Sequence, residues 1–129
     1  MINKKIKLLI VDDEKEICKF VKLLFAKEGF LTYSALSSAE AIRVAKKVQP
    51  QIALLDIYLK RGKTGLDTLR QIKKTAPFCK CIMVTWDKNE SLIKEAKAEG
   101  AVSYLTKPLT TEQLLKVVNR VAKSIERRG

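Results

Sequence analysis

The chain has 129 residues, 47 % of them hydrophobic, and a formal net charge of +12 from 26 basic against 14 acidic side chains. That length and apolar content suit one folded domain around one core and exclude a disordered chain. No histidine is present, which removes Ser-His-Asp and Cys-His catalysis and a phosphohistidine carrier role.

In chain order, Lys5 to Val11 is a short apolar strand running into Asp12, Asp13 and Glu14. Glu14 to Glu28 follows with Ile17, Val21 and Leu24 at helical spacing, and Gly29 suits its C-terminus. Phe30 to Ala35 is a weaker strand. Ser37 with Glu40 makes a capping box for a helix whose stripe is Ala41, Val44, Ala45 and Val48, stopped by Pro50. Gln51 to Leu59 is a nearly unbroken apolar run holding one carboxylate, Asp56, and reads as a strand buried on both faces. A helix from about Gly65 carries Leu66, Leu69 and Ile72 and ends at Pro77. Cys79 to Thr85 is a strand with Trp86 and Asp87 at its end. Lys88 to Glu99 is helical by composition, yet only Leu92, Ile93 and Ala96 offer an apolar face, so weak anchoring is expected. Ala101 to Leu105 is the fifth strand; Thr106, Lys107 and Pro108 form a turn. Thr110 with Gln113 caps a last helix lined by Leu114, Val117, Val118, Val121 and Ile125. Leu115 and Ala122 lie off that stripe, as a strip for a partner or as part of a wide buried face.

Five strands alternating with five helices make an α/β fold with a parallel sheet and helices on both faces. The three cysteines, Cys18, Cys79 and Cys81, form no CxxC pair; their odd number argues against a disulfide frame, and they read as buried thiols. The lysines are spread over every predicted helix without interleaved aromatics, which reads as a solvated surface. No apolar run approaches the roughly 20 residues that span a bilayer, and the acidic residues at 12–14 interrupt any signal-peptide core, so a cytoplasmic protein is expected.

A parallel sheet gathers the carboxyl ends of its strands along one edge, where such folds bind ligands. Asp12 and Asp13, Asp56, Thr85 and Lys107 all fall at those ends. Converging carboxylates repel and call for a cation among them. Oxygen ligands without histidine or thiolate suit a hard ion, Mg²⁺ or Mn²⁺, and a lysine and a hydroxyl suit phosphoryl oxygens. Together these are the parts of a phosphoryl-transfer site with an aspartate nucleophile.

The acidic pair Asp12 and Asp13, Leu-Leu-Asp56-Ile, Thr85 after Ile-Met-Val, and Tyr104-Leu-Thr-Lys107-Pro108 resemble the receiver domain of two-component response regulators along essentially the whole chain. The resemblance implies one receiver domain over residues 1–129, a flavodoxin-like (βα)5 three-layer sandwich with strand order 2-1-3-4-5. It implies that Asp56 accepts a phosphoryl group from a phosphohistidine, with Asp12, Asp13, Asp56 and the Tyr58 carbonyl as metal ligands. Thr85 and Lys107 would contact the phosphoryl group, Thr85 and Tyr104 would form the switch, and the Lys107–Pro108 bond would be cis. Implied partners are a sensor histidine kinase or histidine phosphotransfer protein and a downstream effector or output domain. The face of the fourth helix, fifth strand and fifth helix would meet them, or a second copy. No membrane, no specific nucleic acid and no enzymatic role beyond its own phosphorylation and dephosphorylation are implied.

The chain departs from the family pattern after Asp56, where Lys60 stands in the usual proline position and Gly65 comes one residue late. That implies a longer loop carrying Lys60, Arg61 and Lys63. Trp86 replaces the usual small residue after Thr85 and is expected, with Asp87, to modulate access; Tyr58 and Asp87 occupy positions that in the family tune phosphoryl lifetime. A phosphorylation-independent docking module and an aspartyl phosphatase are the alternative functions for such a chain; the latter expects a second Asp where Tyr58 stands.

Overall fold

The structure, a computed structural model, describes residues 5–59, 65–86 and 88–128. The strands are β1 (Lys7–Val11), β2 (Leu31–Ala35), β3 (Ile52–Asp56), β4 (Lys80–Thr85) and β5 (Ala101–Thr106). The helices are α1 (Lys15–Lys27), α2 (Ser38–Val48), α3 (Gly65–Thr75), α4 (Glu90–Ala98) and α5 (Thr111–Arg128). All strands are parallel, in the order β2-β1-β3-β4-β5. The expected flavodoxin-like architecture is therefore observed.

Side-chain alternation along the central strands splits the core into two layers. Leu8, Ile10, Ile52, Leu54, Ile82 and Val84 face α1 and α5, where they meet Val21, Phe25, Leu114 and Val118. Leu9, Val11, Ala53, Leu55, Cys81 and Met83 face the opposite layer, against Ala41, Ala45, Leu69, Ile72 and Ala96. Both faces of β1, β3 and β4 are thus dry, which is why their sequences read as continuous apolar runs. The strands β2 and β5 form the sheet margins and are less buried. Ala122 is buried and Leu115 packs at the core's border, so the wide buried face of α5 is the arrangement found.

Three details adjust the sequence reading. The third strand stops at Asp56 rather than at Leu59, because Tyr58 N–H turns to the Asp56 carboxylate (3.0 Å) instead of a neighbouring strand. The Ser37 hydroxyl accepts from Glu40 N–H (3.2 Å) as a capping box requires, but the Glu40 carboxylate accepts from Leu36 N–H (2.6 Å). Asn89 caps α4 through Ser91 N–H and Leu92 N–H. The weak anchoring of α4 holds, since Ala96 is its one buried residue. All three cysteines are buried free thiols, as expected.

Candidate functional site

The site is assembled where β1, β3, β4 and β5 end. Asp12 follows β1 directly; its N–H bonds Ala35 O, and one carboxylate oxygen accepts from Glu14 N–H at 2.9 Å, shaping the turn into α1. The Cys18 thiol donates to Asp12 O (3.4 Å) from the first turns of α1, and burial pushes that thiol up to about 11. Asp56 ends β3 with Oδ1 held by Tyr58 N–H. Lys107 follows β5, its N–H bonded to Thr85 O at 2.7 Å and its peptide bond to Pro108 cis.

These elements bring one ammonium group to two carboxylates. Lys107 Nζ lies 2.8 Å from Asp56 Oδ2 and 3.1 Å from Asp12 Oδ2, with all three side chains 5 % exposed. One carboxylate oxygen from each of Asp12, Asp13 and Asp56 lies within 4.8 Å of the others. The cation demanded by converging acids is therefore supplied in part by the chain itself. Burial is the largest influence on Asp56 and raises its carboxyl above the ordinary range; the Lys107 bond offsets only part of this. For Lys107, burial alone would lower the ammonium pKa, but the Asp56 and Asp12 carboxylates outweigh it and hold it above its usual value.

The donor set fits a hard divalent ion. It consists of carboxylate oxygens from the ends of neighbouring strands β1 and β3, with the Tyr58 backbone nearby and no soft or imidazole ligand. Ligands around an octahedral ion at about 2.1 Å stand on the order of 3–4 Å apart, close to the observed spread.

Thr85, fully buried, ends β4 one residue beyond Val84, the register partner of Asp56. Tyr104 is half-buried in β5 against the α2–α3–α4 layer. The Trp86 ring, 65 % exposed, has Lys107 Nζ 6.0 Å from its centroid, at the limit of a cation–π contact. Trp86 and Lys107 both help line a 200 Å³ apolar pocket with Ile17, Phe20 and Leu109. Asp87 and the loop at 60–64 lie outside the described residues.

In the sequence Gly65 reads as a late glycine at the start of a helix. It stands against the backbone of Asp56 and Ile57, and its N–H bonds Ile57 O at 2.6 Å. A Cβ there would collide with Ile57 Cα and the Asp56 carbonyl, so the residue is small because of a close backbone approach. The seat of Trp86 over Lys107 was also not legible.

A five-stranded parallel sheet with a carboxylate–lysine crevice at its carboxyl edge defines an α/β signalling or phosphoryl-handling module. The chain belongs to the response regulator receiver domain family, whose model matches residues 8–119. Sporulation initiation phosphotransferase F of Bacillus subtilis (strain 168) is 30 % identical over 120 residues, which cover 93 % of this chain and 94 % of that protein. A CheY-like response regulator receiver domain protein from Methanospirillum hungatei JF-1 superimposes with a TM-score of 0.91 at 27 % identity, covering 98 % of this chain and all of the other. Chemotaxis protein CheY4 of Vibrio cholerae gives 0.85 at 28 % identity, covering 92 % and 99 %. The protein is a receiver domain of the two-component response regulator type.

Proposed function

We propose that Asp56 is the phosphoacceptor of this receiver and that residues 1–129 work as one regulatory domain in the cytoplasm, not as a stand-alone enzyme. The observation that carries this reading is the buried Lys107 ammonium bonded to Asp56 and Asp12 at the strand ends. An Asp56 carboxylate oxygen attacks the phosphorus of a phosphohistidine on a histidine kinase or phosphotransfer protein. The P–N bond breaks, the imidazole leaves with that electron pair, and an aspartyl phosphate remains.

Asp12, Asp13, Asp56 and the Tyr58 carbonyl are the ligands for Mg²⁺ or Mn²⁺, which when bound offsets charge on the phosphoryl oxygens. Lys107 exchanges its carboxylate contact on Asp56 for a phosphoryl oxygen, and the Thr85 hydroxyl donates to another. Those changes reach Tyr104 through β5 and alter the face of α4, β5 and α5, which a downstream effector, an output domain or a second copy reads. Trp86, with Lys107 beside its ring, narrows the approach of donor and water. The test is intact mass after incubation with Mg²⁺ and acetyl phosphate. Uptake of one phosphoryl group by the wild type, and none by Asp56→Asn or in chelator, is expected; equal uptake by Asp56→Asn overturns the assignment.

A further inference from the structure

Away from this site, β2 is an outer strand of the sheet, and among the described residues it pairs only with β1. Leu31 N–H bonds Ile6 O, and Ala35 O accepts from Asp12 N–H, so Leu31 and Ala35 turn their backbone groups toward β1. The alternation of a parallel ladder then points N–H and C=O of Thr32 and Ser34 outward, and no described strand takes them up. Beside that margin runs a groove of about 650 Å³ between α1 and the β2–α2 corner, with Ser34 in its wall. Lys15, Lys19 and Lys22 line it at helical spacing, along with Leu23 (57 % exposed) and Leu36 (37 % exposed). Glu16 and Glu40 also border it, but the Glu40 carboxylate is engaged by Leu36 N–H.

We infer that this margin is a docking site for an extended, acidic peptide segment of a partner protein, which adds a strand beside β2. Its backbone pairs with Thr32 and Ser34, its Asp or Glu side chains meet the three lysines, and an apolar residue covers Leu23 and Leu36. Charge decides the occupant. A second copy would set the same three lysines against themselves in a chain of net charge +12, so self-pairing is opposed. A nucleic acid would satisfy the lysines but leave the Thr32 and Ser34 backbone groups and the two leucines unmet.

The probe is a labelled synthetic peptide alternating Glu with Val or Leu, titrated into the full chain while amide exchange is followed residue by residue. Controls are the same peptide with Lys for Glu, the same peptide interrupted by proline, and a single-stranded oligonucleotide of equal charge. The expected result is saturable binding of the acidic peptide with new protection at Thr32 and Ser34. Affinity should fall at least tenfold in Lys15→Gln/Lys19→Gln/Lys22→Gln and with the proline-interrupted peptide, while phosphoryl uptake from acetyl phosphate is unchanged. The proposal is overturned by absent binding, by binding without protection at those two amides, or by an oligonucleotide that binds the same residues as well as the peptide does.

Discussion

Lys107 sits between two buried carboxylates, and that triplet sets the electrostatics of the crevice. Because the folded-state carboxyl of Asp56 is raised, its contribution to stability is present at low pH and lost as pH rises through the raised value. At neutral pH the wild type therefore carries a penalty that Asp56→Asn lacks, while Lys107 keeps Asp12 as partner. In chelator at about pH 7, urea unfolding should find Asp56→Asn more stable by on the order of 1 kcal/mol, with the gap closing as the pH is lowered. A gap that does not change with pH would contradict this. Gly65→Ala forces a methyl group onto the backbone of Asp56 and Ile57. It should cost about 1–3 kcal/mol in the same assay and slow phosphoryl uptake, since the collision falls on the residue bearing the acceptor. For Trp86→Ala, both phosphoryl uptake from acetyl phosphate and subsequent loss should quicken. Unchanged rates, read by mass against time, would show that the ring over Lys107 does not limit access.

Among the elements, α4 stands apart. Its one buried side chain is Ala96, whereas α3 buries Leu66, Leu69 and Ile72. Besides Ala96 and the packing of Leu92, ion pairs tie α4 to the body: Arg70 on α3 reaches Glu95 in α4 (3.3 Å) and Glu99 at its C-terminal cap (2.8 Å), and is itself held by Asp67. Exposed pairs of this kind are weak and screened by salt. Hydrogen exchange should therefore find α4 opening before α2, α3 or α5, and Arg70→Gln should speed α4 several-fold while leaving α5 unchanged. Exchange in α4 as slow as in α5 would refute the weak anchoring. This much was legible in the sequence, because the apolar positions of Lys88 to Glu99 are too few for a buried stripe. The strands were legible for a related reason: dry on both faces, β3 and β4 are short apolar runs, preceded by Pro50 and Pro77. The end of β3 was not, because Asp56 captures Tyr58 N–H, and a side chain turning back on its own backbone leaves no mark in an apolar run.

Over the whole molecule, the family motifs placed Asp12, Asp13, Asp56, Thr85 and Lys107 at one sheet edge, and the fold brings Asp12, Asp13, Asp56 and Lys107 together there. What spacing could not give is which atoms meet, since Lys107 reaches Asp12 across 95 residues and Asp56 across 51. The Trp86 ring was equally hidden, because its position depends on the turn after β5 folding back to it. Among the described residues no helix is long and apolar enough to cross a membrane. The charge of +12 is a property of the entire surface. Binding to a mixed-sequence DNA duplex should accordingly fall steeply with salt and vanish by about 150 mM. Binding that survives that salt would call for a dedicated nucleic-acid site.

The most direct measurement is the position of the phosphoryl group. Wild-type protein phosphorylated in Mg²⁺ is treated with borohydride, which reduces an aspartyl phosphate to homoserine, then digested and sequenced by tandem mass spectrometry. Homoserine at position 56 and at no other aspartate is the expected result. Homoserine at position 12 or 13, with Asp56 recovered intact, would contradict the assignment of Asp56 as acceptor.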